Sequence, residues 1–148
     1  MNDQIWLLLA TGASMFWGIT YVFNGQILKY ISVPTTIAIH AFAISIIIGL
    51  IAFFTGSLKA DVQTIIASRH LMWLLVAGTI TFAIAELFIG FSIAGKNATL
   101  AGLIEISYPL FTALFAYILF REMQLTIGVA LGGVLVFLGV AVIYWFGR

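Results

Sequence analysis

Residues 71–120 read LMWLLVAGTITFAIAELFIGFSIAGKNATLAGLIEISYPLFTALFAYILF. Two apolar runs lie on either side of Gly95-Lys96-Asn97, and each exceeds the about 20 residues that a helix needs to cross a hydrocarbon core. Each run carries one acid, Glu86 and Glu105, ten and nine residues from Lys96. If the runs are antiparallel helices, both carboxyl groups sit at about the same depth. A charged side chain at bilayer depth costs roughly 2.5–3.5 kcal/mol on insertion scales, so such residues mark function by default.

The rest of the chain extends the same pattern. Of its 148 residues, 64% are hydrophobic and 7% charged, against about 25% charged in ordinary soluble domains. A soluble domain of about 150 residues buries only about 70% of its extended surface, so the bilayer must be the solvent. Five spans are expected, at about residues 5–27, 34–55, 71–94, 97–120 and 125–146, and they form a single all-α membrane domain. Pro34 opens the second span, where a first-turn N–H has no helical partner anyway. Asn97 is placed to cap the fourth, which explains Asn97-Ala98-Thr99 better than a glycosylation sequon does. The connector 57–70 carries Lys59, Asp61, Arg69 and His70. Its Val62, Ile65 and Ile66 share a face that suits a short interfacial helix. Residues 121–124 read as a tight turn. The N-terminus lacks a basic leader region, so the first apolar run reads as a retained span. Trp6, Tyr30, Trp73 and Tyr144-Trp145 fall near span ends, where amphipathic rings prefer the headgroup level.

Several function classes drop out. There is no cysteine, hence no disulfide framework or thiolate metal site, and no cofactor motif is present. Net charge is near zero without a basic stripe, which argues against nucleic acid as a partner. An intramembrane enzyme is disfavoured, because two glutamates and one histidine spread over three helices make no hydrolytic or metal constellation.

The charge distribution bears on assembly. With five spans, Lys59, Arg69 and Arg121 share one side, and Lys29, Lys96 and Arg148 the other. Orientation follows Lys/Arg imbalance, and here three face three. Chance, or a partner fixing the topology, is the plain reading. Dual topology, with oppositely oriented copies pairing, is the sharper one, since a five-span unit alone makes no inverted repeat of the kind many transporters use.

The remaining candidates cluster around the acids. Two carboxyls in low dielectric cannot both ionise cheaply, so one keeps a proton that an arriving cation can displace. The plainer alternative is a glutamate that bonds a neighbouring hydroxyl and holds two helices together. His40, roughly 9 Å into the second span at 1.5 Å per residue, can reach the acids' layer and relay protons, or be satisfied by a backbone carbonyl. The first span has a small and polar seam, Thr11, Ser14, Gly18, Tyr21 and Gly25. Ser14 and Gly18 suit packing, while Trp17 and Asn24 suit ligand contact through an aromatic wall and an amide. Pro109 removes a helical hydrogen bond beside Glu105 and should kink the fourth span, and the Tyr108 hydroxyl can hold a carboxylate or a substrate. In the fifth span Gly128, Gly132 and Gly139 form a seam for close contact, either within the bundle or with another copy.

Phe16-Trp17-Gly18, Pro34, Tyr108-Pro109-Leu110-Phe111-Thr112-Ala113-Leu114, Phe120-Arg121-Glu122, Gly132-Gly133 and Leu138-Gly139-Val140 together resemble the EamA-type domain of the drug/metabolite transporter superfamily. The resemblance covers nearly the whole chain and is most specific over residues 101–142. It implies a multi-pass inner-membrane transporter of small metabolites or drugs, often an exporter. Members usually carry two such five-span domains, inverted in tandem. This chain is similar to the short members that work as dimers. By that likeness the first four spans line the cavity, and the fifth packs at the bundle or dimer edge. One departure is that many members have an arginine early in the second span, near the place of His40 here. The smaller multidrug members use a first-span glutamate that this chain lacks. Glu86 and Glu105 instead point to cationic or zwitterionic amphiphiles, moved by a proton gradient with no cofactor, in an antiparallel homodimer or a heterodimer with a similar chain. The alternative is a non-catalytic membrane subunit, half of a heteropair or part of a lipid-carrier flippase.

Overall fold

The computed structural model describes residues 3–123 and 126–146, and all its regular elements are helices: α1 (Asp3–Ile27), α2 (Val33–Phe54), α3 (Ser57–Ala67), α4 (Arg69–Gly95), α5 (Ala98–Glu105), α6 (Tyr108–Phe120) and α7 (Ile127–Phe146). Helices α1, α2, α4 and α7, together with α5 and α6 taken as one broken rod, are long and apolar enough to make five membrane spans. In hydrocarbon each backbone N–H and C=O must find its partner inside the segment, and the helix does that locally.

The polar residues between spans set the helix ends. Pro34 lies in the first turn of α2, behind Ser32, whose carbonyl accepts from the Thr36 amide at 3.0 Å. Gly56, at φ 75°, takes the left-handed conformation that lets α2 stop and α3 start at once. The connector helix expected around Val62, Ile65 and Ile66 is α3. Ser68 caps α4 by accepting from the Leu71 amide, so that helix starts two residues before the apolar run. Asn97 Oδ1 accepts from the Leu100 amide at 2.8 Å and starts α5. Arg121, at φ 60°, ends α6, and its guanidinium lies 5.7 Å from the Tyr117 ring centroid. The turn expected at 121–124 is described only through Met123, and Leu125, the first residue expected for the fifth span, also lies outside the described residues.

The fourth span is not one continuous helix. It breaks at Ile106-Ser107, and Pro109 sits in the first turn of α6. Proline has no N–H to give to the Glu105 carbonyl four residues earlier. The chain there tightens to three-residue bonds, Ser107 N–H to Ile104 and Leu110 N–H to Ser107. The expected kink is therefore a full interruption, directly after the acid.

Close helix crossings occur where a side chain is missing. A Cβ on Gly90 of α4 would come within 2.6 Å of Val33 on α2, and one on Gly133 of α7 would strike Leu110 on α6. A Cβ on Gly25 of α1 would lie 3.5 Å from the Ala98 Cβ on α5. The buried residues mark these crossings: Val33 and Thr36 on α2, Ile93 on α4, Ala101 on α5 and Ala113 on α6. The chain still exposes 11,798 Å², whereas a compact fold of this mass exposes about 7,400 Å². Most of this excess is apolar helix surface of the kind lipid covers.

Val33 is β-branched and stiff, so the crossing at Gly90 cannot absorb a methyl by rotamer change. Gly90→Ala should destabilise the protein by about 1–3 kcal/mol in detergent unfolding. Gly78→Ala, at a position with nothing within 4 Å, should leave the midpoint unchanged or raise it slightly.

Candidate functional site

The polar layer of the bundle is built from four helices. On α1, Tyr21 stands six residues before the helix end, and its hydroxyl donates to the Glu105 carboxylate at the end of α5. The ring can approach because α5 carries Gly102 opposite it, where a Cβ would lie 3.1 Å from Tyr21 Cδ2 and 3.2 Å from Cε2. One turn back on α1, the Trp17 ring packs against Tyr21 at 5.8 Å between centroids, tilted by 54°.

The other two contributions come from α4 and α2. Glu86 on α4 lies within electrostatic range of both Glu105 and His40, and it acts on Tyr21 as well. Two pairings hold these groups level. Tyr21 meets Gly102 as Gly25 meets Ala98, so α1 and α5 run antiparallel. Val33 and Ile37 of α2 meet Gly90 of α4, which brings His40, one turn further along α2, to the height of Glu86. Tyr21, His40, Glu86 and Glu105 are all half-buried.

Other expected residues fall around this layer. Asn24, one turn beyond Tyr21 on α1, has a buried Oδ1 with no hydrogen-bond partner. Leaving a buried acceptor unpaired costs about 1–3 kcal/mol, so the amide is ready for a donor brought from outside. Trp17 remains 47% exposed and Tyr108 62% exposed. Tyr108 reaches Tyr21 only electrostatically and turns mainly outward.

Two expectations change. Gly18, assigned to packing with Ser14, has nothing within 4 Å, so that part of the α1 seam faces open space. The fifth-span seam, expected to pack within the bundle or on another copy, makes no close contact inside the chain among the described residues. Gly132 and Gly139 have nothing within 4 Å, and Gly128 meets only Thr126 of its own helix end. The glycine that packs is Gly133, one residue round the helix, because α7 turns that face to Leu110 of α6. The face with Gly128, Gly132 and Gly139 points away from the bundle.

Sequence reasoning placed Tyr21 on the seam without pairing it to an acid, and it passed over Gly102. The signal for Tyr21 was a hydroxyl set well inside its span, at a depth where a buried O–H needs an acceptor. The open grooves lie elsewhere. One of about 450 Å³ runs between α6 and α7 along Leu110, Gly133, Val134 and Phe137, and another of about 490 Å³ lies along Pro34, Ala38 and Phe42 of α2. The first is lined by apolar side chains alone, and Thr35 is the one polar residue lining the second.

The EamA-like transporter family model matches residues 4–145, and the chain belongs to that family. It is a multi-pass membrane protein of a family of small-molecule transporters. No curated protein and no solved structure is found to match it.

A hydrogen bond joining α1 to α5 should show as coupling. With Tyr21→Phe and Glu105→Gln measured singly and together in detergent unfolding, the cycle should give an interaction of about 0.5–2 kcal/mol. Strict additivity would mean that the two side chains do not meet.

Proposed function

We propose that this chain is one half of a proton-coupled exporter of small cationic or zwitterionic amphiphiles, completed in the inner membrane by an oppositely oriented copy. The observation that carries the reading is the single polar layer formed by Glu86, Glu105, His40 and Tyr21 from four helices. A structural role for a glutamate, bonding a hydroxyl to join two helices, accounts for Glu105 and Tyr21. It does not account for a second carboxyl at the same height.

The chemistry follows from charge. In low dielectric two neighbouring carboxyls hold one negative charge and one proton more cheaply than two charges. A cation entering the layer supplies the positive charge that the proton had supplied, so the proton leaves. Return of the proton expels the cation. Trp17 offers a face to quaternary or aromatic cations, and the orphaned Asn24 Oδ1 accepts from an ammonium or amide N–H.

Alternating access needs two rigid halves moving about a fixed site. The exposed area of the chain and the free glycine face of α7 support a second five-span unit closing over the layer. The near balance of basic residues on the two sides supports opposite insertion.

Reconstituted protein should accumulate tetraphenylphosphonium in proteoliposomes when a pH gradient is imposed. Glu105→Gln and Glu86→Gln should each lower gradient-driven uptake at least about tenfold, toward the level of empty liposomes, while helix content by circular dichroism stays unchanged. Full uptake by both variants would overturn the reading.

A further inference from the structure

The interruption of the fourth span leaves backbone acceptors inside the membrane. In an unbroken helix the Leu103 carbonyl would take the Ser107 N–H, the Glu105 carbonyl the N–H of residue 109, and the Ile106 carbonyl the Leu110 N–H. Here the Ser107 amide goes to Ile104, the Leu110 amide goes to Ser107, and Pro109 has no N–H to give. The carbonyls of Leu103, Glu105 and Ile106 are thus left without their helical donors, around the acid that Tyr21 holds. Glu105 lies nine residues from Lys96, roughly 14 Å along a helix, so these carbonyls sit at membrane depth.

Non-helical backbone at that depth persists only where protein buries it or where it lines a water-filled cavity. This chain does not bury the break: Ile106 is 53% and Tyr108 62% exposed, while Glu105 and Ser107 are half-buried. The nearby hydroxyl is already committed, since Ser107 Oγ donates to the Ile104 carbonyl at 2.9 Å. The groove along Leu110 is lined by apolar side chains and supplies no donor. What meets these carbonyls therefore comes from outside the chain. A helix C-terminus carries partial negative charge and favours cations, and half-helix ends with unwound carbonyls recur as cation sites in transporters.

A ligand for this place must be cationic, to suit the carboxyls and the helix end. It must also bring hydrogen-bond donors for the carbonyls. A primary ammonium does both, with three N–H donors on a compact charge. A quaternary ammonium or phosphonium carries the charge without a donor and leaves the carbonyls unpaired, which is costly away from water. We infer that the broken end of α5 makes the polar layer selective: the carbonyls of Leu103, Glu105 and Ile106 receive the N–H groups of a primary ammonium whose charge meets the Glu105 carboxyl, so primary amines are preferred over quaternary cations. This rests on the proposed function and narrows its substrate class. Pro109 determines specificity through what it withholds, because any other residue there would return a helical donor to Glu105.

The test sets n-hexylammonium against hexyltrimethylammonium, equal in alkyl chain and both charged at pH 7, as competitors for tetraphenylphosphonium bound to the purified protein in lipid. The primary amine should compete at least about tenfold more tightly. Pro109→Ala should cut that preference to about threefold or less, chiefly by weakening the primary amine. The Glu105–Ile106 peptide can be observed by itself, because no other glutamate in the sequence is followed by isoleucine. With isotope labels on glutamate carbonyl carbons and isoleucine amide nitrogens it gives one NMR line. That line should move downfield with hexylammonium and stay in place with hexyltrimethylammonium. Equal competition by the two cations, equal weakening of both in Pro109→Ala, or a carbonyl line that neither cation moves would overturn the assignment and leave these carbonyls to a second copy. If tetraphenylphosphonium does not bind and hexylammonium still moves the line, the ammonium site stands and the exchange of bulky amphiphilic cations fails. If no cation binds, both fall.

Discussion

A carboxylate in hydrocarbon has to be met by something polar, and here Tyr21 meets it. The hydroxyl on α1 reaches Glu105 on α5, and the local structure around the pair is arranged to allow it. Gly102 removes the side chain that would block the ring. Pro109 withholds an N–H from the Glu105 carbonyl, so α5 ends at the acid itself and the chain restarts as α6. The acid thus sits at a helix end inside the membrane, the kind of interrupted backbone found where a transporter holds its cargo.

The second constraint is packing without side chains. Lipid is as apolar as leucine, so helices in a bilayer gain by close approach rather than by leaving the solvent. Gly90 against Val33 sets α2 on α4, Gly25 and Gly102 set α1 on α5, and Gly133 receives Leu110. These crossings fix the rotation of each helix, and rotation decides whether an acid at the right depth also faces its neighbour.

That division explains how much the sequence made legible. Depth, span number and the polarity of connectors depend on composition along one dimension, so the five spans, the cap at Asn97 and a distortion near Pro109 could be read from residue order, while the Ser68 cap and the full break after Glu105 came from the structure. Rotation depends on which small residue finds which large one, and one sequence does not carry that pairing. Hence Gly133 rather than its neighbour Gly132 packs on α6, Gly18 stands free, and Tyr21 turned out to be the residue on Glu105. Tyr108, chosen for its position beside the acid, points mostly outward because the break after Glu105 resets the helix.

Glu86 and Glu105 lie within electrostatic reach of one another in a single chain. Because the protein has no cysteine, Glu86→Cys and Glu105→Cys can be introduced together and treated with mercuric ion or a short bis-maleimide in membranes. An intramolecular bridge should form, seen as one cross-linked chain by mass. If each thiol reacts readily with a lipid-soluble maleimide and no bridge forms within the chain, the two acids face the bilayer separately and form no shared polar layer.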